Sequence, residues 1–166
     1  MAEPVYGEGL FLVSKSGTIW YIIVFEYADD EEYAEIARDR ERKRAEEERL
    51  RLEMQKLMDE ERVIVNGIET RCNVLRASIS VSGNRSYVTF ISKIPFEPRR
   101  GLNIYENMYE PTVAEYDYTV YWIVEDGRVE EVESPGDVEI LEGVAVISVR
   151  KGARIDGYES VVFKLG

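Results

Sequence analysis

The stretch "DDEEYAEIARDRERKRAEEERLRLEMQKLMDEER", residues 29–62, decides the fold, because it sets one helical segment between two regions of strand-like alternation. It contains neither Gly nor Pro, and its interior is almost all Ala, Leu, Met, Glu, Lys and Arg, residues that lose little freedom in a helix. Asp29 or Asp30 is placed to cap it, and Glu31 and Glu32 put negative charge in the first turn, where the helix dipole favours it. The pattern predicts one uninterrupted helix over about residues 30–62. At 1.5 Å per residue that helix would be about 50 Å long, more than the width of a domain of this size, so part of it would overhang.

Its apolar residues form two stripes, Tyr33, Ile36 and Ala37 near the start and Leu50, Met54, Leu57 and Met58 near the end. A heptad register through both stripes would put Arg40, Lys43 and Glu47 at core positions, which argues against a continuous two-stranded coiled coil. The middle carries opposite charges four residues apart, such as Asp39 with Lys43, Arg42 with Glu46, Arg44 with Glu48 and Arg49 with Glu53. Pairs of this kind add about 0.2–0.5 kcal/mol each and support a solvated helix. Two arrangements follow. The helix packs on its own sheet, or it projects and offers Leu50, Met54, Leu57 and Met58 to a second copy or to another protein.

Outward from the helix the chain reads as strands. "GLFLVSKSGTIWYIIVFEY", residues 9–27, is a hairpin turning at "KSG". After the helix, Asn66-Gly67 is a strong hairpin signal. In the next strand Leu75, Ala77, Ile79 and Val81 are expected to face inward. "PFEPRRGLN", residues 95–103, is irregular, with two prolines and Gly101, and is the loop most suited to function. From Val113 the alternation puts Ala114, Tyr116, Tyr118, Val120, Trp122 and Val124 on one face, and turns at "EDG", "SPGD", Glu142-Gly143 and residues 151–157 separate the remaining strands. The expected fold is α+β, one domain over residues 1–166. It is an antiparallel β-sandwich or partly open barrel of about 8–10 strands, interrupted by the helix, with the β region proper at residues 63–166.

Composition narrows the chemistry. The chain has no histidine and one cysteine, Cys72, so a Cys/His metal site is excluded; no metal or cofactor is expected. No nucleophile elbow or phosphate-cradling Gly-rich loop is present, and the reading leans away from catalysis. Charged residues make up 33% and Gln55 is the sole glutamine, a bias that suggests a thermophilic, archaeal source. The N-terminus lacks signal-peptide features, and the longest apolar run, residues 19–25, is too short to span a bilayer. A cytoplasmic protein with no membrane partner is therefore expected.

The net charge of −12 opposes nonspecific nucleic-acid binding, yet residues 63–104 hold six bases and only two acids. Within them Arg85, Lys93, Arg99 and Arg100 are candidate anion or nucleic-acid contacts, with tyrosines as stacking platforms. Residues 103–122 contain a dense aromatic and acidic set, of which Glu106, Glu110, Glu115 and Asp117 could form a carboxylate site and Tyr105 and Tyr109 could serve aromatic ligand binding, although an ordinary acidic strand facing water explains the same pattern. The leading expectation is a non-enzymatic interaction or assembly protein, with a dimer or a protein partner formed through the helix. RNA or single-stranded nucleic-acid binding is the alternative, and a carboxylate enzyme the weaker one.

Overall fold

The structure, a computed structural model, describes residues 3–28 and 31–166, so the proposed capping residues Asp29 and Asp30 lie outside the described residues. Strands β1 (Tyr6–Ser14) and β2 (Thr18–Ala28) form the first hairpin, with Gly17 at φ 102° in its turn. Helices α1 (Glu31–Arg38) and α2 (Arg40–Asp59) follow. Then come β3 (Arg62–Val65), β4 (Ile68–Thr70), β5 (Asn73–Ser82), β6 (Arg85–Pro95), β7 (Gly101–Met108), β8 (Thr112–Val113) and β9 (Asp117–Val124). The chain ends with β10 (Gly127–Glu133), β11 (Asp137–Leu141), β12 (Val144–Val149), β13 (Arg154–Ile155) and β14 (Tyr158–Leu165). The extra strands beyond the expected number include β4, β8 and β13, pieces of two or three residues too short to leave an alternation in sequence.

The predicted single helix is broken. Asp39 adopts extended backbone angles (φ −111°, ψ 112°), and its carboxylate accepts hydrogen bonds from the backbone N–H groups of Glu41 and Arg42 at 3.1 and 3.2 Å. A short acidic side chain competes with the helical ladder in this way and starts a new helix. The break lets Tyr33 and Ile36 of α1 and Leu50 and Met54 of α2 enter one core. The second helix also stops earlier than expected, at Asp59, because Arg62 already pairs with Met108 as strand. Along α2, Lys43 pairs with Glu47 and Arg49 with Glu53, four residues apart as expected; Glu46 and Glu48 turn instead to Arg49 and Arg51, three residues on.

The strands form a seven-stranded sheet, β11-β12-β9-β1-β2-β6-β5, a five-stranded sheet, β10-β14-β7-β3-β4, and the small β13-β8 ladder. Both larger sheets have free edges, so no closed barrel forms. Pairing is not purely antiparallel either: β1 and β9 run parallel, Phe11 opposite Trp122, because β9 reaches β1 by a long crossover and not by a hairpin. The turns follow local chemistry, with Asn66 and Gly67 both at positive φ (54° and 79°), and Glu142 and Gly143 likewise (53° and 75°). In β5 a register shift between Val74 and Arg76 puts Val74 inward and leaves Leu75 half exposed at 50%; Val81 at the strand end is also exposed. The expected inward row therefore holds only at Ala77 and Ile79, since a bulge adds one residue and reverses the alternation before it.

One face of the seven-stranded sheet is covered by two different layers. On β2 the inward residues are Ile19, Tyr21, Ile23, Phe25 and Tyr27. Ile19 belongs to a core shared with the five-stranded sheet through Val63, Tyr105, Val161 and Phe163, whereas Ile23 and Tyr27 belong to a core shared with the helices. The two cores meet at Tyr21 and Met58, which pack against both. Among the described residues no helix is long and apolar enough to cross a membrane.

Candidate functional site

A cavity of about 650 Å³ opens where the second sheet and the C-terminal end of α2 part over the large sheet. Its floor begins with absent side chains. Gly7 and Gly9 are both inward positions of β1, and a Cβ on Gly7 would lie 3.0 Å from a ring carbon of Tyr116, one on Gly9 3.4 Å from a ring carbon of Tyr21. The next inward residue, Phe11, is sandwiched in a stack. Tyr21 of β2 lies 3.9 Å from it, centroid to centroid, on one side, and Trp122 of β9 lies 4.2 Å away on the other, with interplanar angles of 10° and 5°. The register causes this stack, since Tyr21, Phe11 and Trp122 are direct cross-strand neighbours on three adjacent strands.

The walls come from the other two layers. Met54, Leu57 and Met58 of α2 form one side, and Tyr105 and Tyr109 approach from β7 and its continuation. Tyr105 is buried, 4.8 Å from the Trp122 ring. The Tyr109 hydroxyl is shut off from solvent without a well-formed hydrogen bond, and burial, with Glu159 close by, pushes its ionisation upward.

Two acids reach into this apolar space. Glu61 follows the last turn of α2, whose geometry the Met58 carbonyl fixes by accepting from its N–H at 3.1 Å. Burial raises the Glu61 carboxyl to about 7, with Glu159 and Glu60 adding repulsion and the Asn107 side chain opposing. Glu159, on β14, is likewise raised by burial, against which Tyr109 and Ser134 act; the Ser134 hydroxyl donates to it at 3.2 Å. Cys72 also lines the cavity, and burial pushes its thiol up to about 11, so it behaves as a small apolar residue. An aromatic, largely apolar cavity with two half-buried carboxyls can hold an apolar body and fix one polar end of it.

The sequence candidates scatter relative to this site. Of the helix stripe, Leu50 and Met54 are buried in the protein's own core, Met58 is half-buried, and Leu57 is 56% exposed at the cavity mouth. Of the aromatic and acidic set, Tyr105, Tyr109 and Glu110 line the cavity. Glu106 is on the other face of β7 and accepts from the Tyr158 hydroxyl at 2.7 Å, Asp117 accepts from the backbone N–H of Lys151 at 2.7 Å, and Glu115 is exposed. Among the described residues, no group of three or more His, Cys, Asp or Glu is placed to hold a metal ion.

The basic candidates are equally dispersed. Arg85 and Lys93 sit near opposite ends of β6, about 26 Å apart at 3.3 Å per residue. Lys93 lies over the Trp20 ring at 4.9 Å. Arg99 donates to the Asn66 carbonyl at 3.0 Å, and Arg100 is exposed in the same loop. That loop is held by a polar network. Asn103 accepts from the Arg99 N–H at 2.8 Å and from the Asn66 amide at 2.9 Å, and donates to the carbonyls of Arg99 and Gly101. Glu61, Glu159, Gly7 and Gly9 were not legible as site residues. The one available signal was the pair of glycines two apart in a strand, a sign that something approaches the backbone there.

No family model and no curated protein matches the chain. Among solved structures, the folded domain of LppM from Mycobacterium tuberculosis is similar at a TM-score of 0.43 and 9% identity, over 99% of this chain and 92% of that one. Yeast LTA4 hydrolase is similar at 0.40 and 9% identity, and an M1 zinc metallopeptidase from Deinococcus radiodurans at 0.36 and 8%. Those two matches cover 96% and 98% of this chain, which spans only 28% and 42% of the respective enzymes. Likenesses of this degree assign neither family nor activity.

Proposed function

We propose that the protein binds a small, largely apolar molecule in the cavity between its layers. The observation that carries this reading is the cavity itself: about 650 Å³, floored by the Tyr21–Phe11–Trp122 stack and by the backbone of Gly7 and Gly9. A volume of this order, apolar walls and a few polar groups are what small-molecule sites have in common. On this reading the sandwich-like pair of sheets is held open at one end by α2, and Leu57 at the mouth is the residue a ligand passes.

Titration with the neutral dye N-phenyl-1-naphthylamine tests it. Saturable uptake with about one site per chain is expected, reduced at least about tenfold by Gly9→Val, which puts a side chain into the floor. Uptake that does not saturate, or that Gly9→Val leaves unchanged in a folded protein, overturns the reading.

A second reading, assembly with another copy of the chain, is supported by the outer face of the large sheet. Val146, Tyr121, Leu10, Ile22 and Ile91 form an unbroken cross-strand row over five strands, all half-buried, next to Ile123, Leu12 and Trp20. An antiparallel sheet facing water ordinarily alternates to polar residues on its outer side. Light scattering over a concentration series, with Ile22→Lys as the variant, checks it. A concentration-dependent dimer that the variant abolishes supports assembly, and a monomer of 19.2 kDa throughout excludes it.

A further inference from the structure

We infer that the ligand of this cavity is an organic cation, with an apolar body on the aromatic floor and an ammonium or guanidinium group at Glu61 and Glu159. The inference rests on the reading of the cavity as a ligand site and adds the ligand's charge. Among the described lining residues there is no Lys or Arg. Glu8 turns its side chain to the opposite face of β1, but Glu60, Glu61, Glu110, Glu133 and Glu159 all remain. The first, third and fourth of these are exposed around the mouth, and Glu61 and Glu159 are set deeper.

The aromatic lining supplies the floor for the apolar body: Phe11, Tyr21, Tyr105, Tyr109, Tyr118 and Trp122 surround the space, and both faces of Phe11 are covered by its stacking partners. An anionic amphiphile would meet five carboxyl groups and no counter-charge.

Among the described residues no base faces the two carboxyls. The groups that face Glu61 are Glu60 on its own turn, Glu159 on β14, Tyr21 on β2, Tyr105 on β7, Tyr109 just beyond it, and Cys72. The bases adjacent in sequence are committed elsewhere: Arg62 to Glu69 at 3.5 Å and Arg71 to Asp59 at 2.9 Å. Burial raises both carboxyls, with repulsion from Glu159 added at Glu61, so Glu61 holds a proton below about pH 7 until a cation arrives. Binding of a cation then releases protons, and affinity rises with pH through neutrality.

The test displaces the bound dye with three ten-carbon probes below their micellar concentrations: decyltrimethylammonium, decanol and decanoate. At pH 8.5 the ammonium probe is expected to displace the dye at about tenfold lower concentration than decanol, with decanoate weakest. At pH 6 the advantage should shrink to about threefold or less. A Glu61→Gln, Glu159→Gln double variant should lose the preference for the ammonium probe over decanol; if it does not fold, the pH dependence of the wild type decides alone. Saturable dye binding with no preference for the ammonium probe, or with a preference that pH does not alter, overturns the cation while the cavity reading stands. Absence of dye binding overturns both.

Discussion

Gly7 of β1 lies directly under Tyr116, so close that a Cβ on the glycine would approach a ring carbon of the tyrosine to 3.0 Å. The ring occupies the place a side chain would take, and Gly9 repeats the arrangement two residues on beneath Tyr21; both glycines line the cavity floor. A strand interior ordinarily disfavours glycine, because it adds backbone entropy to the unfolded chain and packs nothing. Keeping two on the buried face of a central strand costs stability and lets the Tyr116 and Tyr21 rings lie close against the backbone.

Gly9→Ala separates these two effects. Its Cβ would meet Tyr21 at 3.4 Å, an ordinary contact, and the backbone there is not left-handed. The variant is expected to be as stable as the wild type or more stable by up to about 1 kcal/mol in urea unfolding, while binding the dye less well. A loss of stability above about 1 kcal/mol would mean that the floor is packed and not open.

Phe11→Ala removes the middle ring of the three-ring stack. The substitution should cost about 3–5 kcal/mol, since it opens a void between residues on three strands. Phe11→Leu should cost less, as most of the volume returns. Chemical denaturation of both variants checks the order.

Asp39→Ala tests the helix break. Its carboxylate caps two backbone N–H groups of α2, so the variant should lose about 1 kcal/mol, and Asp39→Asn should recover most of it. Thermal unfolding with circular dichroism reads both.

Glu61 makes stability depend on pH in a stated direction. Its carboxyl titrates near 7 in the folded protein, against about 4.3 for an unfolded glutamate. Between those values the folded chain holds a proton that the unfolded chain has released, so stability falls as pH rises from about 4.5 to 7 and is flat beyond. The loss should be about 1–3 kcal/mol, reduced by the water that reaches this half-buried group, and Glu159 acts in the same sense. Glu61→Gln should remove most of the slope in unfolding free energies measured at pH 5, 6, 7 and 8.

Asn103→Ala removes both acceptor and donor from the network that holds the 96–101 loop. The backbone N–H of Arg99 and the carbonyls of Arg99 and Gly101 would lose their partner, a cost of about 2–3 kcal/mol, and limited proteolysis should find a new site in the loop.

What the residue string determined by itself was local. Propensity and periodicity placed the first hairpin, the helical region, the Asn66-Gly67 and Glu142-Gly143 turns, and the inward row of Ala114, Tyr116, Tyr118, Val120, Trp122 and Val124, because each depends on neighbours a few positions away. The stop at Asp39 was a local signal too, but one the helix propensity of its flanks concealed. Only the tertiary structure decided that β9 runs parallel to β1, that helices and second sheet share one face of the large sheet, and that Glu61 and Glu159, 98 positions apart in sequence, meet in one cavity. Those outcomes follow from the register of distant strands and from the space left where two layers fail to meet, and neither has a trace in the alternation of a single strand.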